Sequence, residues 1–259
     1  MRLLVLHGSS ADPMVVDDHF QDIDLLLLVN NSDDAVKQLL LCEPFKTAKL
    51  IRHSAKNIGH TEISIRAVSL EGEEVGVQIF EAFGSLKKRT NNFFKVLLDK
   101  DSVASNIPKN ENRPFHVNKP TSQEFEELCL DIYWCLIDVM KGIGREQLIY
   151  AKHKHDSQLQ PRLKTLLTWC VRDCHDWNVS LGSHGKRIRQ YAAPDLYTEY
   201  LGTFSPNKIE EMPHSLEAAR QFLSARGSEL SASLEYSFPR ELDLWVERYL
   251  MKRLRRGNV

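Results

Sequence analysis

Residues 101–120 interrupt the pattern of the chain more sharply than any other stretch. Ser102, Ser105, Asn106, Pro108, Asn110, Asn112, Pro114 and Pro120 crowd into it. Proline removes a backbone donor and short polar side chains favour turns, so neither a helix nor a strand runs through. A domain is expected over 1–105, a linker over 106–120 and a second domain over 121–259. Before the linker, apolar runs near 3–7, 24–29, 47–53, 62–70 and 75–80 have strand lengths, and a helix is expected after Ser32-Asp33-Asp34. After it the apolar period lengthens. Thr121-Ser122-Gln123-Glu124 has the form of a capping box, and Phe125, Leu128, Cys129, Ile132, Leu136, Val139 and Met140 follow at helical spacing. Gly142 and Gly144 are expected to break that helix, with another beginning near Arg145. Further helical segments are expected around 160–175, 194–202, 214–229 and 238–255. The fold class expected is α+β: a small mixed β-sheet with helices, then a C-terminal α-helical bundle.

Within the first half, Asp22-Ile23-Asp24 opens directly into Leu25-Leu26-Leu27-Leu28-Val29. Residues two apart on a strand point to the same face, so this spacing sets two carboxylates side by side. The first apolar run, Leu3 to His7, ends at Gly8, where the N–H and hydroxyl of Ser9 could cradle a phosphate. Mg²⁺ takes few protein carboxylates and fills its octahedron with water and phosphate oxygens, which this arrangement suits. On spacing alone the plainer reading, an Asp-x-Asp loop that caps or solubilises, comes first.

Composition narrows the field. A net charge of −1 and a pI near 6.8 give no overall field toward nucleic acid or an anionic membrane. No apolar run approaches the roughly 20 residues that span a bilayer, and the N-terminus lacks the pattern of a secretory signal. Five irregularly spaced cysteines suit reduced thiols in a cytoplasmic protein. Cys170, Cys174 and His175 are expected to pack rather than bind zinc, and His153-Lys154-His155-Asp156 reads as a solvated helix face.

A longer series gives the Asp pair its context. Gly8-Ser9 and Asp18-His19-Phe20-Gln21-Asp22-Ile23-Asp24 are followed in order by Lys95-Val96-Leu97-Leu98-Asp99-Lys100-Asp101 and Lys119-Pro120-Thr121. Glu124-Phe125-Glu126-Glu127, the run Lys141 to Ala151, and Gly185-Lys186 complete it. This series resembles the aminoglycoside 6-adenylyltransferases, which carry a Gly-Ser-Arg turn and Asp-x-Phe-Gln-Asp-Tyr-Asp. It covers nearly the whole chain. The resemblance implies a nucleotidyltransferase-type sheet domain ahead of a helical substrate-binding domain. It further implies ATP as co-substrate, Mg²⁺, and a cationic small-molecule acceptor such as streptomycin. Asp22 and Asp24 would be catalytic and metal-binding; Gly8, Ser9, Lys141, Arg145 and Lys186 would bind nucleotide. Glu127 and Asp131, one turn apart, with Tyr133 and Trp134 would bind the acceptor. Lys141 and Lys186 also read as exposed helix cations, and Glu126 and Glu127 also suit a helix N-terminus simply through its dipole.

The chain departs from this family in three places. Where the family has Gly-Asn-Arg-Ile-Asp-Leu-Thr-Leu, this sequence has Gly72-Glu73-Glu74-Val75-Gly76-Val77-Gln78-Ile79, so Gly76 replaces a third aspartate. Glu74 shares its strand parity and is the carboxylate expected to compensate; Glu73 and Glu81 have the wrong parity. Ser10 replaces the arginine of the turn. The first strand also begins without the helix that usually precedes it in the family, which is expected to leave apolar sheet surface uncovered. An enzyme and a non-catalytic relative that binds nucleotide or a small ligand both remain open at this point.

Overall fold

The computed structural model describes residues 1–12, 18–57, 61–89, 93–107 and 118–256. It divides into two compact units, Met1–Pro114 and Phe115–Val259. Most of the expected linker, residues 108–117, lies outside the described residues.

The first unit is built on six strands: β1 (Leu3–His7), β2 (Ile23–Leu28), β3 (Leu50–Asn57), β4 (Thr61–Val68), β5 (Glu74–Phe80) and β6 (Phe94–Asp99). They lie in the order β3-β4-β5-β2-β1-β6. The pairing of β2 with β5 is parallel, and the other pairings are antiparallel. β3 sits three residues later than its apolar run suggests, and β6 was not among the expected strands. Its sequence, Phe-Lys-Val-Leu-Leu-Asp, has no clean period of two, and its pairing with β1 shifts register between Leu4 and Val5.

Two helices cover the sheet, one on each face. α1 (Ser32–Leu40) starts at Asn31, whose side chain accepts from the Asp34 N–H. Its Ala35, Val36 and Leu39 pack on Leu27, Val77 and Ile79. α2 (Phe83–Arg89) places Leu86 against Leu3, Val5, Leu26, Leu28 and Phe80 on the opposite face. That second face is apolar only at one end, and the polar ends of β1, β2, β4 and β5 continue it.

The second unit is helical. α3 (Ser122–Ile143) begins with the expected capping box, Thr121 bonding the Glu124 N–H and Glu124 bonding the Thr121 N–H. Its buried stripe matches the expected one, with Leu128 only partly covered. Gly142 does not break this helix. A Cβ there would stand 2.9 Å from both Ala151 Cβ and Tyr150 Cδ1, so glycine is needed for α4 (Leu148–Lys154) to pack closely. α5 (Gln160–Asp173) follows through a π turn, His155–Leu159. That turn rotates His155 into the core at 0% exposure, and the reading of residues 153–156 as a solvated face fails at His155. α6 (Ile188–Tyr191), α7 (Pro194–Gly202), α8 (Met212–Phe222), α9 (Ser228–Leu234) and α10 (Arg240–Arg256) complete the unit. A second π turn, Leu223–Gly227, divides the expected 214–229 helix between α8 and α9.

Asp243 of α10 fastens three of these elements. It accepts from Tyr133 Oη at 3.2 Å and Ser224 Oγ at 2.6 Å, with Arg220 Nη1 3.7 Å away. A buried carboxylate is tolerable when so partnered.

Candidate active site

Strand register assembles the first unit's polar sheet end. Arg52 of β3 opposes Arg66 of β4, Arg66 opposes Gly76 of β5, Gly76 opposes Asp24 of β2, and Asp24 opposes His7 of β1. Directly paired residues share a face, so these five positions form one row across five strands. Asp22, just before β2, has the parity of Asp24 and joins the same face.

Asp24 is held between two glycines. A Cβ at Gly8 would stand 2.7 Å from Asp24 Oδ2, and one at Gly76 would stand 2.8 Å from Asp24 Oδ1. Gly8 also has φ +76°, a conformation that penalises a side chain. Burial pushes the Asp24 carboxyl above the usual carboxylate range; His7 opposes that shift and Asp22 adds to it. Burial likewise holds His7 below the ordinary imidazole value, against the pull of Asp24. Ser10, at the family's arginine position, donates to the Asp22 carbonyl at 2.6 Å and so ties the Gly8–Ala11 turn to the start of β2.

Glu74 lies on the row's face but is engaged by the Arg66 guanidinium. Beyond this pair, a cleft of about 260 Å³ opens beside Arg52, Ser64, Arg66 and Gln78. Sequence reasoning missed His7, Arg52 and Arg66. The alternation Glu62-Ile63-Ser64-Ile65-Arg66-Ala67 marks Arg66 as facing away from the core, but only the pairing register brings it toward Asp24.

Mg²⁺ commonly takes one or two protein carboxylates and completes its shell with water and substrate phosphates. Asp22 and Asp24 offer that donor set beside the turn. Among the described residues no group of three His, Cys, Asp or Glu side chains gathers to hold an ion. The donors present fit an ion carried in on phosphate, and do not form a cage made by protein alone.

The second unit scatters the remaining expected residues. Lys141 is paired with Asp138 at 3.0 Å, and Arg145 is exposed. Lys186 is exposed beside a cavity of about 470 Å³. On α3, Glu127 accepts from Gln123 Nε2 at 2.8 Å and Asp131 from Arg162 Nε at 2.9 Å. Trp134 is 65% exposed, whereas Tyr133, one position earlier, is 2% exposed. Tyr133 therefore presents no contact surface for an acceptor, because its ring lies in the helical core and its hydroxyl on Asp243.

A mixed sheet with an Asp-x-Asp at one strand end beside a Gly-Ser turn, accompanied by a helical unit, defines a nucleotidyltransferase-type protein. Residues 1–253 match the family model described as streptomycin adenylyltransferase, and the chain belongs to that family. It is 23% identical over 256 residues to the aminoglycoside 6-adenylyltransferase of Bacillus subtilis (strain 168), covering 96% of this chain and 90% of that protein. Identity to the Campylobacter jejuni aminoglycoside 6-adenylyltransferase is 21% over 268 residues, covering 100% of this chain and 91% of that protein. The crystal structure of an aminoglycoside 6-adenyltransferase from Bacillus subtilis aligns with a TM-score of 0.51 at 21% identity, over 98% of this chain and 91% of that one. At that identity the alignment shows the shared α+β fold alone. Among the described residues no helix is long and apolar enough to cross a membrane.

Proposed function

We propose that the chain transfers the adenylyl group of ATP to a hydroxyl of an aminoglycoside such as streptomycin, as a Mg²⁺-dependent cytoplasmic enzyme. The observation that carries this reading is the Asp22/Asp24 pair beside the Gly8–Ser9 turn, in a chain matching the family over residues 1–253. In the transfer, the acceptor oxygen forms a bond to the α-phosphorus. The bond from that phosphorus to the bridging oxygen breaks, and pyrophosphate leaves with the electron pair. The hydroxyl proton passes to a carboxylate or to water.

Each residue has a role in this scheme. Gly8 lets the backbone approach phosphate, and the Ser9 N–H and hydroxyl donate to it. Asp22 and Asp24 would hold Mg²⁺, which when bound offsets triphosphate charge and orients the reacting phosphate. Lys141, Arg145 and Lys186 bind nucleotide phosphates; Glu127, Asp131 and Trp134 attract and orient the cationic acceptor. Tyr133 supports them from inside by fixing α3 to Asp243. Glu74 accepts the proton after exchanging its Arg66 partner.

The test is pyrophosphate release from ATP and Mg²⁺, with and without streptomycin. Release that needs streptomycin and disappears in Asp22→Asn is expected; undiminished release by that variant would reject the metal assignment.

A second reading, a nucleotide-binding relative that has lost transfer, is favoured by the crowding at Gly76. A Cβ there would stand 2.8 Å from Asp24 Oδ1, so Asp24 must shift before a third carboxylate is restored. If wild type is silent, Gly76→Asp with Ser10→Arg should restore release; a silent, folded double variant would show that further positions have drifted.

A further inference from the structure

Strand pairing carries the polar face of the sheet past Asp24 into the cleft of about 260 Å³ on β3, β4 and β5. Arg52 stands directly across from Arg66, Ser54 across from Ser64, and Lys56 across from Glu62. Gln78 of β5 stands across from Ser64 on its other side. These side chains line the cleft, and every one of them is polar.

Two features of this lining are unfinished. Like charges directly opposite each other destabilise a sheet, and Arg52 faces Arg66. Glu74 engages Arg66, whereas among the described residues Arg52 makes no ion pair. Three cations (Arg52, Lys56 and Arg66) meet one carboxylate, Glu62, in the lining, and counting Glu74 as well still leaves one positive charge over. The second feature is Gln78 Oε1, which is buried without a hydrogen-bond partner among the described residues. Buried acceptors are rarely left so.

An oxyanion answers the first feature and a hydroxyl group the second. A guanidinium binds a phosphate or carboxylate through two parallel hydrogen bonds, and the Ser54 and Ser64 hydroxyls can donate or accept. The volume falls just under that of drug-sized sites, which suits something smaller. We infer that this cleft binds a small hydroxylated anion, a sugar phosphate or sugar carboxylate, with its oxyanion on Arg52 and a hydroxyl on Gln78. Topology separates it from the Gly8–Ser9 turn. That turn follows β1 on one side of Asp24, whereas β5, β4 and β3 lie in sequence on the other. Three strand spacings put Arg52 roughly 14 Å from Asp24 along the row. The inference goes beyond the proposed function and takes from it only the assignment of the turn to the nucleotide's phosphates.

The test titrates glucose 6-phosphate, gluconate, glucose and inorganic phosphate separately into the full chain by calorimetry, in EDTA and without ATP. Saturable binding of glucose 6-phosphate or gluconate, tighter than that of glucose or inorganic phosphate, is expected. The tighter of the two identifies the oxyanion as phosphate or carboxylate. Arg52 is exposed on an edge strand, so Arg52→Gln should fold normally and weaken the bound anion roughly 10–100-fold. Gln78→Leu should weaken it roughly 2–10-fold and leave inorganic phosphate unchanged. Undiminished binding in Arg52→Gln places the anion elsewhere and overturns the site. So does failure of both sugar anions to bind, or equal binding of glucose. Streptomycin-dependent pyrophosphate release enters none of these titrations, so the proposed function and this site can fail separately.

Discussion

Asp24 shows how one side chain is set by neighbours that have none. Two glycines leave room for its carboxylate, and burial makes its charged form costly. A carboxyl whose folded pKa is raised loses stability on ionising; that cost is fully present above the folded pKa and vanishes as pH falls below the ordinary carboxylate value. Asp24→Asn removes the cost. The variant is expected to lose adenylyl transfer yet match or exceed wild type in Tm at pH 7, with the difference shrinking toward pH 3. Thermal melts across that range check it, and a variant less stable at pH 7 than at pH 3, relative to wild type, would refute the burial argument. Such a trade of stability for a charged site is expected where chemistry needs a buried carboxylate.

At the level of elements, the ends and contacts of α3 decide how the helical unit is built. Its capping box satisfies backbone donors at both Thr121 and Glu124. Thr121→Ala should cost about 1 kcal/mol, seen as a lower urea midpoint with unchanged slope. Gly142→Ala tests the other end. Helix propensity alone favours alanine by about 1 kcal/mol, but the added methyl meets Ala151 and Tyr150 at 2.9 Å. Overpacking of about 1–3 kcal/mol should win, so the variant is expected to be destabilised. A stabilised Gly142→Ala protein would mean that α4 yields without cost.

For the whole molecule, the two units have separate cores. Phe125, Leu136, Leu167 and Phe222 belong to the helical core, while Leu3, Leu26, Ile65 and Val77 belong to the sheet's two faces. Asp243 is confined to the helical core and partners Tyr133, Ser224 and Arg220 there. Asp243→Ala takes the acceptor from Tyr133 Oη and Ser224 Oγ, while Arg220 keeps Glu217, and should cost about 1–3 kcal/mol. Hydrogen exchange is expected to accelerate across α3, α8 and α10 while β1, β2 and β5 keep their protection. Uniform acceleration in both units would show that they unfold as one.

Sequence by itself determined that strands precede helices, the capping box, the buried stripe of α3 and the family. These rest on local chemistry or on residues read in order, and neither needs a register. Only the tertiary structure decided that His7 and Gly76 flank Asp24, that Arg66 engages Glu74, and that Tyr133 is core while Trp134 is surface. It also decided that His155 turns inward and that Gly142 serves packing. Each depends on which strands pair and where, on which helices pack against α3, or on a π turn that rotates a helix face. A one-residue slip reverses the direction of a side chain on a strand, and one extra residue turns a helix face by about 100°. The sequence therefore carries the candidate site's residue types in plain view, while their partners are fixed by strand register and helix packing.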